Sequence, residues 1–109
     1  MKNKVGVSYY PGTSKRMKSF WKSADISGIC EVNENELTFT SKMLGFVRIK
    51  DKDFTLLLKD IEEIELVTLN LIMSFGLCIT MKNGQEYMLG SLKRAKLMGL
   101  IEDAIYRLN

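Results

Sequence analysis

A chain of 109 residues and 12.5 kDa holds a single hydrophobic core, which excludes a two-domain enzyme. With 46% apolar residues, 27% charged residues and a net charge of +3, it reads as an ordinary globular protein rather than a disordered or fibrous one. It contains no histidine, the side chain that titrates near neutrality and most often ligates zinc, so proton-shuttling enzymes and metal sites are disfavoured.

In chain order, Val5, Val7 and Tyr9 alternate with Gly6, Ser8 and Tyr10, which predicts a short strand closed by the turn pair Pro11-Gly12. Residues 13–27 are polar and basic around Met17, Phe20 and Trp21, and suit a loop or a short helical turn. From Gly28 the alternation sharpens. Cys30 and Val32 alternate with Ile29 and Glu31, Leu37 and Phe39 with Thr38 and Thr40, and Asn33 to Glu36 is turn material. Pairing Asn33 with Glu36 sets Val32 opposite Leu37 and Cys30 opposite Phe39, which puts four apolar side chains on one face.

Lys42 to Gly45 then reads as a loop, Phe46 to Lys50 as a short strand, and Asp51-Lys52-Asp53 as a turn. Phe54 to Leu58 reads as a buried strand, followed by further strand around Ile61, Ile64 and Leu66. For the hairpin from Leu77 to Leu89, a two-residue Asn83-Gly84 loop would set Leu77 opposite Gly90. A three-residue loop, Lys82 to Gly84, sets Ile79 opposite Tyr87 and Leu77 opposite Leu89, which buries better partners. The second register predicts a type I turn with Gly84 as a left-handed bulge.

After Ser91 a helix from about Leu92 to Leu108 is predicted, with Leu97, Met98, Ile101, Ala104, Ile105 and Leu108 at helical offsets and Lys93, Lys96, Glu102, Asp103 and Arg107 outward. Asp103 and Arg107 form a favourable i,i+4 pair, and Gly99 weakens the middle of the helix by about 1 kcal/mol relative to alanine. The predicted core is Cys30, Val32, Leu37, Phe39, Leu56, Ile61, Leu77, Ile79, Met81, Tyr87, Leu89, Ile101, Ile105 and Leu108.

Several hairpins followed by one helix resemble the pleckstrin-homology (PH) superfold, and the spacing is similar to its GRAM and bacterial PH-like branch over about residues 28–108. GRAM-type domains carry Gly-x-Leu-x-Leu-Thr-Asn-x-Arg-Leu-x-Phe. Here Gly28-Ile29-Cys30-Glu31-Val32-Asn33-Glu34-Asn35-Glu36-Leu37-Thr38-Phe39 has equal length with its apolar positions in register. Leu58 to Ile61 resembles the family's strand entry, and Gly76 to Leu89 its last hairpin. Glu36 replaces the usual arginine, Asn33-Glu34 the usual Thr-Asn turn, and Leu89 the common aromatic residue.

The resemblance implies a mainly β fold with one C-terminal α-helix, a PH-like β-sandwich or partly open barrel of about seven antiparallel strands. It implies a single domain over residues 1–109, with 28–108 as its core and 1–27 as a basic N-terminal segment. Families on this fold bind phosphoinositides, anionic lipids, peptides or proteins, so a binding module is implied and nothing narrower.

Charge is uneven. Residues 1–27 carry six basic groups against Asp25 alone, a balance of +5, while the rest carries ten basic and twelve acidic groups, a balance of −2. Lys15, Arg16, Lys18 and Lys22 interleave with Met17, Phe20 and Trp21, a composition suited to an anionic lipid headgroup layer or membrane surface. At about 1 kcal/mol per basic residue, four charges supply roughly 4 kcal/mol, or only about millimolar affinity, unless the aromatics insert as well. The competing reading buries Phe20 or Trp21 against the domain and leaves the cations on a solvated face.

Met43, Leu44 and Phe46 form a second apolar cluster, either a membrane or partner contact or a loop folded over an open end of the sheet. A protein partner or self-association through these residues, a sheet edge or the helix groove is therefore the alternative function. No nucleic-acid ligand is expected, because the acidic remainder offers no continuous basic groove. No catalytic residue, metal or cofactor is predicted. Ser19 to Lys22 matches Ser-x-x-Lys without the companion motifs, and Glu62, Glu63 and Glu65 read as a solvated strand edge. Cys30 and Cys78 lack CxxC spacing and read as two buried thiols, a disulfide staying open only if the fold brings their strands together. The uncharged run from Leu66 to Met81 is too short and interrupted to span a bilayer, and no secretory leader is apparent. The expected location is cytoplasmic, peripheral at the inner membrane face.

Overall fold

The structure is a computed structural model that describes residues 3–11, 26–44, 47–48, 52–67 and 75–108. Among the described residues, nine strands and one α-helix follow in order: β1 Lys4–Tyr10, β2 Ile26–Val32, β3 Glu36–Ser41, β4 Met43–Leu44, β5 Val47–Arg48, β6 Phe54–Leu57, β7 Ile61–Val67, β8 Gly76–Met81, β9 Glu86–Gly90 and α1 Arg94–Leu108. Seven of the strands form one antiparallel sheet in the order β6-β3-β2-β1-β9-β8-β7, and β4 pairs with β5 apart from it. The chain is thus mainly β with one C-terminal helix, a PH-like, partly open barrel.

The barrel turns at β1. This strand pairs with β2 from Lys4 to Tyr9, but with β9 only from Ser8 to Tyr10, so it joins the two halves of the sheet. A 3-10 turn, Leu58–Asp60, then carries the chain from one outer strand, β6, to the other, β7, and buries Leu58 in the core. The strand expected around Val5 to Tyr10 is present as β1, Val5 and Val7 belong to the core, and Ile26 and Ser27 are part of β2 rather than of a loop or short helical turn.

Both hairpins adopt the expected registers. Cys30 pairs with Phe39 and Val32 with Leu37, and the Asn33 carboxamide oxygen accepts the N–H groups of Asn35 and Glu36, each at 2.9 Å. Ile79 pairs with Tyr87 and Leu77 with Leu89, with Gly84 at φ +91° and its N–H donated to the Met81 carbonyl. Only glycine adopts that φ without strain.

Other expectations need correction. Lys42 to Gly45 is not simply a loop, since Met43 pairs with Arg48 and Leu44 with Val47. The strand expected over Phe46 to Lys50 is described only at Val47–Arg48. β6 is half-buried rather than buried, with Leu57 exposed, because it is paired only with β3 and one of its faces meets solvent.

The helix starts at Arg94 rather than Leu92. Leu92 is exposed, while the Ser91 hydroxyl accepts the Lys93 N–H and the Ser91 carbonyl accepts that of Arg94. Leu97 and Ile101 are fully buried over the 3-10 turn, β1, β2 and β8. Ile105 is half-buried and Leu108 exposed, so the last turn of the helix is less covered than its middle. Tyr87 is also only half-buried. The Arg94 guanidinium fixes the start of the helix by donating to the carbonyls of Val67 at 3.0 Å and Gly76 at 3.1 Å. Asp103 and Arg107 pair at 2.9 Å as the spacing predicts. Cys78 and Met88 are buried on the outer face of the second half of the sheet, against Tyr10 and Val67. Both cysteines are free and buried.

Candidate functional site

Four aromatic side chains gather at one end of the barrel. Tyr9 lies at the end of β1, Phe54 opens β6, Tyr87 sits near the start of β9, and Phe39 lies beneath them, fully buried. Ring centroids are 4.8 Å apart for Tyr9 and Phe54, 4.6 Å for Phe54 and Tyr87, and 5.3 Å for Phe39 with either Tyr9 or Phe54, within the range of favourable aromatic pairing. Tyr9, Phe54 and Tyr87 are half-buried and form a rim rather than a sealed core. Burial, reinforced by the neighbouring Tyr87, raises the Tyr9 pKa above the usual tyrosine value.

Local sequence explains the rim. On β1 the alternation that turns Val5 and Val7 inward brings Tyr9 to the same face, and Phe39 and Phe54 lie directly opposite each other in the β3–β6 register. The helix covers the other end: β2 starts at Ile26 beside Tyr9 and ends at Val32, beside the Asn33 turn and the C-terminal half of α1.

Two connections leave the sheet at the aromatic end. Residues 11–25 link β1 to β2, departing after Tyr10 and returning at Ile26, which is paired with Tyr9. Residues 42–53 link β3 to β6 and carry β4 and β5. Their ends are clamped by the Ser41 N–H donated to the Asp53 carboxylate at 2.9 Å. The connections emerge side by side, since the Lys42 N–H donates to the Ser27 carbonyl at 2.9 Å.

Lys15, Arg16, Lys18, Phe20, Trp21, Lys22 and Phe46 lie outside the described residues. Met43 and Leu44 are on β4, within the second connection. The covalent path thus attaches both sequence-predicted groups to neighbouring strand ends. Glu62, Glu63 and Glu65 are exposed on β7, the outer strand of the second half. No cluster of metal-ligating side chains occurs among the described residues, and none of their helices is long and apolar enough to cross a membrane. The aromatic rim itself is absent from the sequence-based site. The alternation of Val5, Val7 and Tyr9 signals an inward Tyr9, but only the sheet order brings Phe54 and Tyr87 to it.

The fold is similar to the crystal structure of the C-terminal domain of an unknown protein from Leishmania infantum. The TM-score is 0.73 at 11% identity, covering 95% of this chain and 82% of that one. Residues 28–108 alone do not reach that coverage, so the likeness includes part of the N-terminal quarter. At such identity it carries the fold alone. No family model matches the chain, and no curated protein does.

Proposed function

We propose that this chain is a non-catalytic binding module of the GRAM and bacterial PH-like branch, acting at the cytoplasmic face of a membrane. It docks on anionic lipid headgroups through Lys15, Arg16, Lys18 and Lys22, with Phe20 and Trp21 at the interface. The observation that supports this reading is the shared exit of the two connections beside the aromatic rim. A cationic segment and a connection bearing Met43, Leu44 and Phe46 start from one end of the barrel, so headgroup attraction and apolar insertion reinforce each other. Four charges alone give only about millimolar affinity, and added apolar contact or several copies on one surface raise it.

The test is co-sedimentation with vesicles of phosphatidylcholine and phosphatidylserine at two salt concentrations. Binding is expected to weaken with salt and to disappear when Lys15, Arg16, Lys18 and Lys22 are all changed to glutamate. Undiminished binding by that variant rejects the site.

A second reading is favoured by a different observation. Ile61, Ile64, Ile105 and Tyr106, together with Glu62, Glu63 and Glu102, line a groove of about 370 Å3 between β7 and α1, where an extended segment of a protein partner or second copy could add to the sheet edge. It predicts a concentration-dependent mass in light scattering with no dependence on lipid.

A further inference from the structure

We infer that the outer wall of the barrel carries a phosphate-monoester site beside the exit of the two connections. This deepens the membrane reading and rests on it for the source of the ligand. The site is a concavity of about 420 Å3, within the roughly 300–1,000 Å3 usual for small-ligand sites. Gly6 and Ser8 of β1, Ser27 of β2 and Ser91 after β9 line it, together with Lys42 and Lys93.

The fold builds this concavity from the β1 alternation. Val5 and Val7 turn into the core, so Gly6 and Ser8 face outward. A Cβ placed on Gly6 would meet nothing within 4 Å, so the glycine leaves the floor bare. On one side, the Ser91 hydroxyl donates to the Gly6 carbonyl at 2.8 Å and accepts the Lys93 N–H at 3.1 Å, which ties the segment bearing Lys93 to the wall. On the other, the backbone bond from Lys42 to Ser27 holds the second lysine at the start of β2.

Both lysines are exposed, and among the described residues no carboxylate lines the concavity and neither ammonium group is in an ion pair. Two ammonium groups and the Ser8 and Ser27 hydroxyls, with no counter-charge among the described lining residues, suit a group with close to two negative charges and three free acceptor oxygens. That is a phosphate monoester. A phosphodiester offers one charge and two free oxygens, and satisfies the set less well.

The test uses the full chain with two probes. Amide chemical shifts are followed on adding inorganic phosphate, and pelleting is compared on phosphatidylcholine vesicles carrying phosphatidic acid or phosphatidylserine at matched surface charge. Expected are shifts at Gly6, Ser27, Lys42 and Ser91, and stronger retention on phosphatidic acid. The pair Lys42→Glu and Lys93→Glu should reduce both responses by about tenfold or more. Gly6→Val, which fills the floor from a strand position, should do the same with an unchanged far-ultraviolet circular dichroism spectrum. If that variant does not fold, the lysine pair decides.

Shifts confined to other amides, or equal retention on the two vesicles with no phosphate shifts, overturn the site. That result leaves the membrane reading standing if Lys15 to Lys22 still govern pelleting. Phosphate shifts at the named amides without pelleting on either vesicle keep the site and remove the membrane as its ligand source.

Discussion

Gly28 sits where Phe39 leaves no room for a side chain. A Cβ there would lie 2.5 Å from the Phe39 ring and 2.5 Å from the Thr40 carbonyl oxygen, whereas one on Gly6 would touch nothing. Gly28→Ala is therefore expected to lower stability by about 1–3 kcal/mol through overpacking, while Gly6→Ala is neutral or stabilises by up to about 1 kcal/mol. Urea denaturation of the two variants side by side measures the contrast, and equal midpoints would refute it. Cys30 makes a second residue-scale case, since burial pushes its thiol from 9.0 up to about 12. The unfolded chain releases this proton above about pH 9 while the native state keeps it. The contribution is therefore fully present below that pH and is lost towards pH 12, by at most about 1.4 kcal/mol per pH unit. Cys30→Ala should flatten the alkaline fall in the denaturation midpoint, and an identical slope would count against the buried thiol. Cys30 is legible as a buried small hydrophobe from its alternation with Val32, but nothing local announces that Phe39 leans over Gly28.

At the scale of elements, α1 is stapled rather than intrinsically strong. Arg94 anchors its first turn to Val67 and Gly76, Leu97 and Ile101 bury its middle, and Gly99 weakens it with open space at its Cβ. Gly99→Ala should raise the thermal midpoint through a gain of about 1 kcal/mol, and a lowered midpoint would mean that the glycine serves a contact instead. The two hairpins are legible because turn chemistry and period-two alternation agree, with Asn33 and Gly84 pinning the registers that the apolar pairs require. β1 is legible as a strand but not as the central one. Its alternation says nothing about β9, whose pairing partner lies some eighty residues away in sequence. The β4–β5 ladder is hidden for the opposite reason, since two residues on each side carry no periodicity.

For the whole molecule, sheet order does what no segment can. It bends around β1, plugs one end with α1 and gathers Tyr9, Phe54 and Tyr87 at the other, where residues 11–25 and 42–53 leave the barrel. The cationic segment is plain in the sequence, whereas the common exit of the two connections and the lysine-rimmed wall depend on long-range pairing. Trp21, the only tryptophan in the chain, lies within the cationic segment and reports on it directly. The decisive measurement is its fluorescence on titration with phosphatidylserine-containing vesicles. The account predicts a blue-shifted, brighter emission that salt reverses and that neutral phosphatidylcholine vesicles do not produce. Emission that is unchanged by anionic vesicles, at protein and lipid concentrations where the chain pellets with them, would contradict it.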